Sequence, residues 1–125
     1  MVKLIYGRAY SGKSARLAAL LFELETPGFI YAPRDSLPLP PWGRRLVQAR
    51  RPLTWATAQW LAIDDLDLPC GPLLCDALSA GLDVFATIYT PAGVAQQAEA
   101  LLCRITELVG RRVPRTMLEI MRPDA

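Results

Sequence analysis

Residues 2–14, VKLIYGRAYSGKS, carry the most informative pattern in the chain. The first five residues of this stretch are β-prone and mostly apolar, which predicts a short buried strand. The last eight, residues 7–14, match the pattern G-x-x-x-x-G-K-[ST] at every defined position. From Lys13 to about Glu25, leucines recur at helical spacing. The sequence therefore predicts a strand, a glycine-containing turn and a helix in direct succession.

The chemistry of this turn suits a phosphate group. Gly7 and Gly12 place no Cβ in the way, so backbone N–H groups can wrap an anion at the positive end of the following helix. Lys13 is expected to reach the β- and γ-phosphates and to stabilise charge during catalysis, and the Ser14 hydroxyl is expected to ligate Mg²⁺. The predicted nucleotide-binding residues are Gly7, Arg8, Ala9, Tyr10, Ser11, Gly12, Lys13, Ser14 and Ala15.

The match is unusual for this composition. Of 14 basic residues only Lys3 and Lys13 are lysines. The chain's own residue frequencies put a chance match at roughly one per thousand such chains. The alternative interpretation, a Gly-Ser turn with an exposed lysine, leaves the flanking strand and helix unexplained.

The rest of the chain alternates between apolar runs and helical patterns. Further strands are predicted at residues 29–32, 60–63, 82–89 and 115–121. Further helices are predicted at 44–51, 72–80, where Gly81 ends the helix, and 94–109. This order predicts an α/β fold, a three-layer α/β/α sandwich with a mainly parallel five-stranded sheet, as one domain over residues 1–125.

A phosphate loop needs a partner acid to orient Mg²⁺, and Asp64 directly follows the apolar run 60–63. Asp65 comes next and is the candidate for orienting the attacking water. The alternative is that both are solvated turn acids. Asp76 is a rival acid, but helical spacing around it argues against a strand there.

Two threonines follow on the strand 82–89 and at its end. Thr90, at the predicted carboxyl edge of the sheet, is the candidate catalytic residue near the γ-phosphate. For Thr87 we favour a strand residue that faces its neighbours.

Composition limits the remaining chemistry. The net charge of +2 does not by itself support nucleic-acid binding, and the chain has no histidine for a catalytic triad or a histidine-based zinc site. Three cysteines without a CxxC pair suit a reducing compartment, where they are expected as small buried apolar residues. No apolar run is long enough for a signal peptide or a membrane span, so we expect a cytoplasmic protein without membrane contact.

Arginines and tryptophans offer candidate contacts with partners. The arginines cluster at Arg44, Arg45, Arg50 and Arg51, and at Arg111, Arg112 and Arg115. They are read as an arginine finger for a neighbouring subunit, as nucleic-acid contacts or, most simply, as plain surface. For Trp42, Trp55 and Trp60 we favour burial against the sheet over stacking on a ligand.

These motifs resemble the P-loop NTPase superfamily, with GRAYSGKS (7–14) as Walker A and LAIDD (61–65) as a Walker B-like segment. The extra strand after Walker B resembles the additional-strand division of RecA-like and AAA+ ATPases. That resemblance implies a sheet order of 5-1-4-3-2, binding of Mg-ATP and its hydrolysis, and assembly into an oligomer.

Weaker similarity links GRAYSGKSARL (7–17) to type II thymidine kinases and RPLTWATAQ (51–59) to adenosylcobinamide kinases. The cysteine-rich zinc lobe of the first and the guanylylated histidine of the second have no counterpart here. Three functions stay open: an oligomeric ATPase that acts on nucleic acid or a larger assembly, a small-molecule kinase, and a binding module without turnover. No motif selects ATP over GTP.

Overall fold

The computed structural model describes residues 1–7, 12–33, 37–52, 55–89, 103–107, 109–110, 116 and 118–121. The strands are β1 (Val2–Gly7), β2 (Gly28–Tyr31), β3 (Gly43–Arg45), β4 (Trp60–Ile63), β5 (Asp83–Tyr89) and β6 (Leu118–Met121). The helices are α1 (Lys13–Phe22) and α2 (Gly71–Ser79), and residues 103–107 are also helical.

All six strands form one sheet in the order β3-β2-β4-β5-β1-β6, and every pair is parallel. Parallel strands need crossover connections, and α1 and α2 supply two of them. The α/β fold class predicted from the sequence is confirmed. Among the five predicted strands, the order is also the one that the resemblance implied.

Helical segments cover both faces of the sheet. Alternate strand residues point to opposite faces, and each set packs against different helices. Leu4 on β1 joins a core with Leu73 of α2 and with Ile105, whereas the next residue, Ile5, joins a second core with Leu17 of α1. These five side chains are at most 1% exposed, and burial of one such side chain contributes about 1.5–3 kcal/mol. The sheet is thus the middle layer of three.

Close packing at the start of β2 explains one glycine. A Cβ on Gly28 would overlap the indole ring of Trp60, which lies beside it in the register of β2 and β4. The Trp60 indole also donates a hydrogen bond from Nε1 to the Thr26 carbonyl oxygen over 2.7 Å. Trp60 thereby ties the loop before β2 to the sheet.

The segment 44–51 is not the basic helix that the sequence predicts. Arg44 and Arg45 pair with Phe29 and Ile30 in the short edge strand β3, and Leu46 N donates to the Ile30 carbonyl oxygen over 2.7 Å. Hydrogen bonds to β2 replace those of a helix, and the sheet gains a sixth strand.

Most other predicted elements agree within a few residues. Helix α1 ends at Phe22 rather than near Glu25, and β6 covers Leu118–Met121 of the predicted strand 115–121, of which residues 115 and 117 lie outside the described residues. Gly81 follows α2 with a φ of 76°, the left-handed conformation expected after a helix. Of the predicted helix 94–109, residues 94–102 and 108 lie outside the described residues, as does the cluster of Arg111, Arg112 and Arg115. In the described part of the chain, no helix is long and apolar enough to cross a membrane.

Candidate functional site

The candidate site lies where β1 and β4 end, at the carboxyl edge of the sheet. Gly7 is the last residue of β1, and Asp64 follows Ile63, the last residue of β4. Strand β5 runs between these two strands. The carboxyl edge is where ligands bind in open parallel α/β sheets.

Ser14 and Asp64 are in direct contact across 50 residues of sequence. The Ser14 hydroxyl donates to the Asp64 carboxylate, with 3.0 Å to Oδ1 and 3.2 Å to Oδ2. Asp64 is only 2% exposed. A buried carboxylate is costly unless polar groups surround it, so this contact helps to retain the acid at this position.

Thr87 supplies the second hydroxyl around Asp64. Its Oγ1 donates to Asp64 Oδ1 over 2.7 Å, and the Thr87 side chain is fully buried in β5. The register explains the contact, because Ile63 lies level with Ala86 and the next residues of both strands are therefore neighbours. Thr87 faces its neighbours as the sequence analysis favoured, but the neighbour is the candidate metal-binding acid.

The same threonine fixes the turn after Asp64. The Asp65 backbone N–H donates to Thr87 Oγ1 over 2.8 Å, and the Leu66 N–H donates to the Thr87 carbonyl oxygen over 2.9 Å. Asp65 has a φ of 60°, a left-handed conformation that costs roughly 1–2 kcal/mol for most residues and is better tolerated by Asp and Asn. Asp65 thus belongs to a tight turn rather than to an extension of β4.

Helix α1 begins at the same edge. Gly12 precedes it with a φ of 88°, which a glycine adopts without strain, and its missing side chain leaves the helix start open to a ligand. Lys13 is the first helical residue and is only 8% exposed. The N–H groups of a helix's first turn point out of the helix, and together with a cationic side chain they supply the chemistry that an anion requires.

The oxygen atoms of Ser14 and Asp64 fit Mg²⁺ as ligands. Magnesium prefers oxygen ligands and is commonly held by one or two carboxylates together with substrate phosphates and waters. Ser14 offers a hydroxyl oxygen and Asp64 a carboxylate, already 3.0 Å apart. Thr87 lies behind the acid and would orient it as a hydrogen-bonding partner outside the metal's own ligands.

The remaining predicted site residues fall into two groups. Ala15 lies on α1, and the rival acid Asp76 lies on α2, as its helical spacing indicated. The others, Arg8, Ala9, Tyr10, Ser11 and Thr90, lie outside the described residues. Sequence reasoning missed the hydrogen bonding of Thr87, for which the signal was a polar residue within an apolar strand.

The cysteines differ in their surroundings. Cys70 is buried, Cys75 is partly exposed and Cys103 is exposed, so the expectation of buried cysteines holds for Cys70. Burial raises the pKa of the Cys70 thiol to about 11, which keeps it protonated near neutral pH. Its Sγ donates a weak hydrogen bond to Asp67 Oδ1 at 3.5 Å.

The chain thus has an open, parallel α/β sheet. At its carboxyl edge, a serine is hydrogen-bonded to a buried acid. Solved structures with a similar fold include the VirB11 ATPase of the Brucella Suis type IV secretion system in complex with sulphate, with a TM-score of 0.62 and 20% identity. The Legionella pneumophila ATPase DotB is similar at a TM-score of 0.56 and also at 20% identity.

These likenesses show that the chain shares its fold with part of each of these two ATPases. They cover 93% and 87% of this chain but only 38% and 36% of those two chains, so this chain spans little more than a third of their length. No protein-family model matches the chain, and no curated protein matches its sequence.

Proposed function

We propose that this chain binds Mg-ATP at the carboxyl edge of its sheet and hydrolyses it to ADP and phosphate. The observation that carries the proposal is the hydrogen bond from Ser14 to Asp64, which joins the serine of the Walker A-like motif to the acid of the Walker B-like segment. The structural neighbours are both ATPases, which supports the same choice of ligand.

In the proposed reaction, water attacks the γ-phosphate in line with the leaving oxygen. Lys13 and the backbone N–H groups of residues 8–14 stabilise the phosphate charge, and Asp65 orients the water. Ser14 and Asp64 would hold Mg²⁺, which would supply neutralisation of phosphate charge. Thr90 contacts the γ-phosphate.

The wider interpretation belongs to the same proposal. Residues 1–125 act as one domain of the additional-strand division, in the cytoplasm, and the active form is a homo-oligomer or part of a larger protein assembly. An arginine supplied by a second subunit would then complete the site. Mass in solution, measured with and without Mg-ATP, tests the homo-oligomer, and a monomer under both conditions would contradict that form of the assembly.

Two lysine variants test the nucleotide site. Lys13→Ala is expected to abolish ATP binding and phosphate release, because it removes the motif lysine. Lys3→Ala is the matched control, since Lys3 is 38% exposed and lies 3.9 Å from Glu119 on the surface of the sheet. Equal ATP affinity in the two variants would contradict the proposal.

The same assay separates the alternatives. Phosphate transfer to an added nucleoside in place of phosphate release would indicate a kinase. ATP binding that requires Lys13 but gives no turnover, in any oligomeric state, would indicate a binding module.

A further inference from the structure

A second feature lies in a part of the sequence without acidic residues. From Ser36 to Ile63 the chain has no Asp or Glu, yet it contains four arginines. The local charge of this 28-residue stretch is therefore +4, twice the net charge of +2 for the whole chain. A local excess of this size attracts anions even where the total charge is small.

Three of the four arginines are available to a partner. Arg44, Arg50 and Arg51 are exposed. Arg45 has a structural contact, because its Nη2 donates to the Leu37 carbonyl oxygen over 2.7 Å. We refer to Trp42 and Arg44, which line one cavity, as the basic aromatic surface; Arg50 and Arg51 follow in the same stretch of sequence.

Trp42 is the exposed tryptophan of this surface. Its exposed fraction is 54%, against 2% for both Trp55 and Trp60, so the expectation of burial is wrong for Trp42. The backbone around it is nevertheless held firmly: Gly28 N donates to the Trp42 carbonyl oxygen over 3.1 Å, and Gly43 N donates to the Pro40 carbonyl oxygen over 3.0 Å. The fold therefore presents a large aromatic ring to solvent from a hydrogen-bonded turn.

A cavity of about 300 Å³ lies beside this ring. Trp42 and Arg44 line it together with Phe29 and Thr57. Its volume is at the lower end of small-molecule pockets, which suits one ring system. Because Gly28 and Gly43, next to these residues, begin β2 and β3, the cavity lies at the amino edge of the parallel sheet, opposite the edge with Ser14 and Asp64.

We propose that the basic aromatic surface binds single-stranded nucleic acid. One base stacks on Trp42 at the cavity, Arg44 contacts its phosphate, and Arg50 and Arg51 are exposed to phosphates further along the strand. Aromatic platforms within a positively charged surface are the usual means of holding single strands without sequence preference. This proposal does not depend on the nucleotide site, because the cavity with Trp42 and Arg44 lies at the edge of the sheet opposite Ser14 and Asp64.

The exposed ring favours a nucleic acid over an acidic peptide. Arginines alone would serve both polyanions equally, since phosphate and carboxylate both pair with guanidinium groups. A nucleic acid carries one planar base for each phosphate charge, whereas the carboxylates of an acidic peptide come without a ring. The cavity beside Trp42, of about 300 Å³, is large enough for such a ring.

Fluorescence anisotropy of a labelled oligo(dT) strand, titrated with the purified full chain at two salt concentrations, tests the proposal. Wild-type protein is expected to bind, and bound strand is expected to quench tryptophan emission. Trp42→Ala should weaken binding by about tenfold. Trp42→Phe should retain most of the binding, because phenylalanine keeps an aromatic ring on which a base can stack.

A matched pair of arginine variants separates the local surface from total charge. Arg44→Gln should weaken binding and make its salt dependence shallower by roughly 0.7 in the slope of log K against log salt. Arg104→Gln removes the same charge elsewhere in the chain, where Arg104 Nη1 lies 3.5 Å from Glu107 Oε2. This variant should change neither the affinity nor its salt dependence.

Thermal melting of each variant shows whether it is folded, so loss of binding is counted only in folded protein. The proposal is overturned if wild-type protein does not bind oligo(dT), or if folded Trp42→Ala binds as tightly as wild type. It is also overturned if poly-glutamate displaces the labelled strand as effectively, per unit of charge, as unlabelled oligo(dT) does. The surface would then recognise acidic chains in general.

Discussion

Thr87→Val keeps the shape of a buried side chain and removes its hydroxyl, so it isolates the two hydrogen bonds that this hydroxyl makes. Asp64 Oδ1 loses a donor at 2.7 Å, and the Asp65 backbone N–H loses its acceptor at 2.8 Å. Ser14 still donates to Asp64 in this variant. The acid is therefore kept at the site but is held from one side only.

The expected cost follows from these contacts. A hydrogen bond to a charged group contributes about 1.5–3 kcal/mol, and a buried N–H left without an acceptor costs about 1–3 kcal/mol. Because the two effects share one hydroxyl, we expect a combined loss of about 3 kcal/mol in the free energy of unfolding. For a chain of 125 residues that corresponds to a fall in Tm of about 10 °C.

The functional cost is separate from the loss of stability. Loss of a partner that orients a metal ligand lowers metal affinity by about 10- to 100-fold. We therefore expect Thr87→Val to raise the Mg²⁺ concentration needed for tight ATP binding by at least about tenfold. ATP binding without Mg²⁺ should be unchanged, measured by calorimetry below the Tm of the variant.

Thr87→Ser is the matched control. It keeps the hydroxyl and loses one buried methyl group, which costs about 1 kcal/mol. Its Mg²⁺ dependence should match that of wild type. The argument for Thr87 would be refuted if the valine and serine variants had the same Tm and the same Mg²⁺ dependence.

Three further results are expected. Gly28→Ala should lower the free energy of unfolding by about 1–3 kcal/mol in denaturant titrations, because the new methyl group overlaps the Trp60 ring; wild-type stability would contradict this packing. Asp65→Asn should keep the left-handed turn but lose ATP turnover, and full turnover in that variant would exclude Asp65 from orienting water. Iodoacetamide at neutral pH, followed by mass spectrometry, should label exposed Cys103 quickly and Cys70 only after unfolding; equal rates would contradict the burial of Cys70.

The sequence was most informative where a local pattern also determines the packing. Strand β4 is a continuous apolar run, and all four of its residues are buried between the two helical layers. Lys13 begins a helix because a glycine precedes it and leucines recur behind it on one side. Such elements are predictable because their hydrophobic pattern alone decides which side faces the core.

Features that depend on register or on an edge of the sheet could not be predicted. Arg44 and Arg45 have ordinary helix propensity, but hydrogen bonds to β2 place them in a strand. The contact between Thr87 and Asp64 follows from the pairing of Ile63 with Ala86, which no local pattern encodes. Trp42 is exposed because a backbone turn holds it outward, and its residue type alone favours burial.

Calorimetric titration of ATP into wild-type and Asp64→Asn protein, each with and without Mg²⁺, is the measurement on which the proposed function depends. Asparagine keeps an oxygen for the hydroxyls of Ser14 and Thr87 but removes the charge that Mg²⁺ needs. We predict that Mg²⁺ strengthens ATP binding to wild type by about tenfold or more and leaves binding to the variant unchanged. The same gain from Mg²⁺ in both proteins, or no ATP binding by wild type, would contradict the proposed Mg-ATP site.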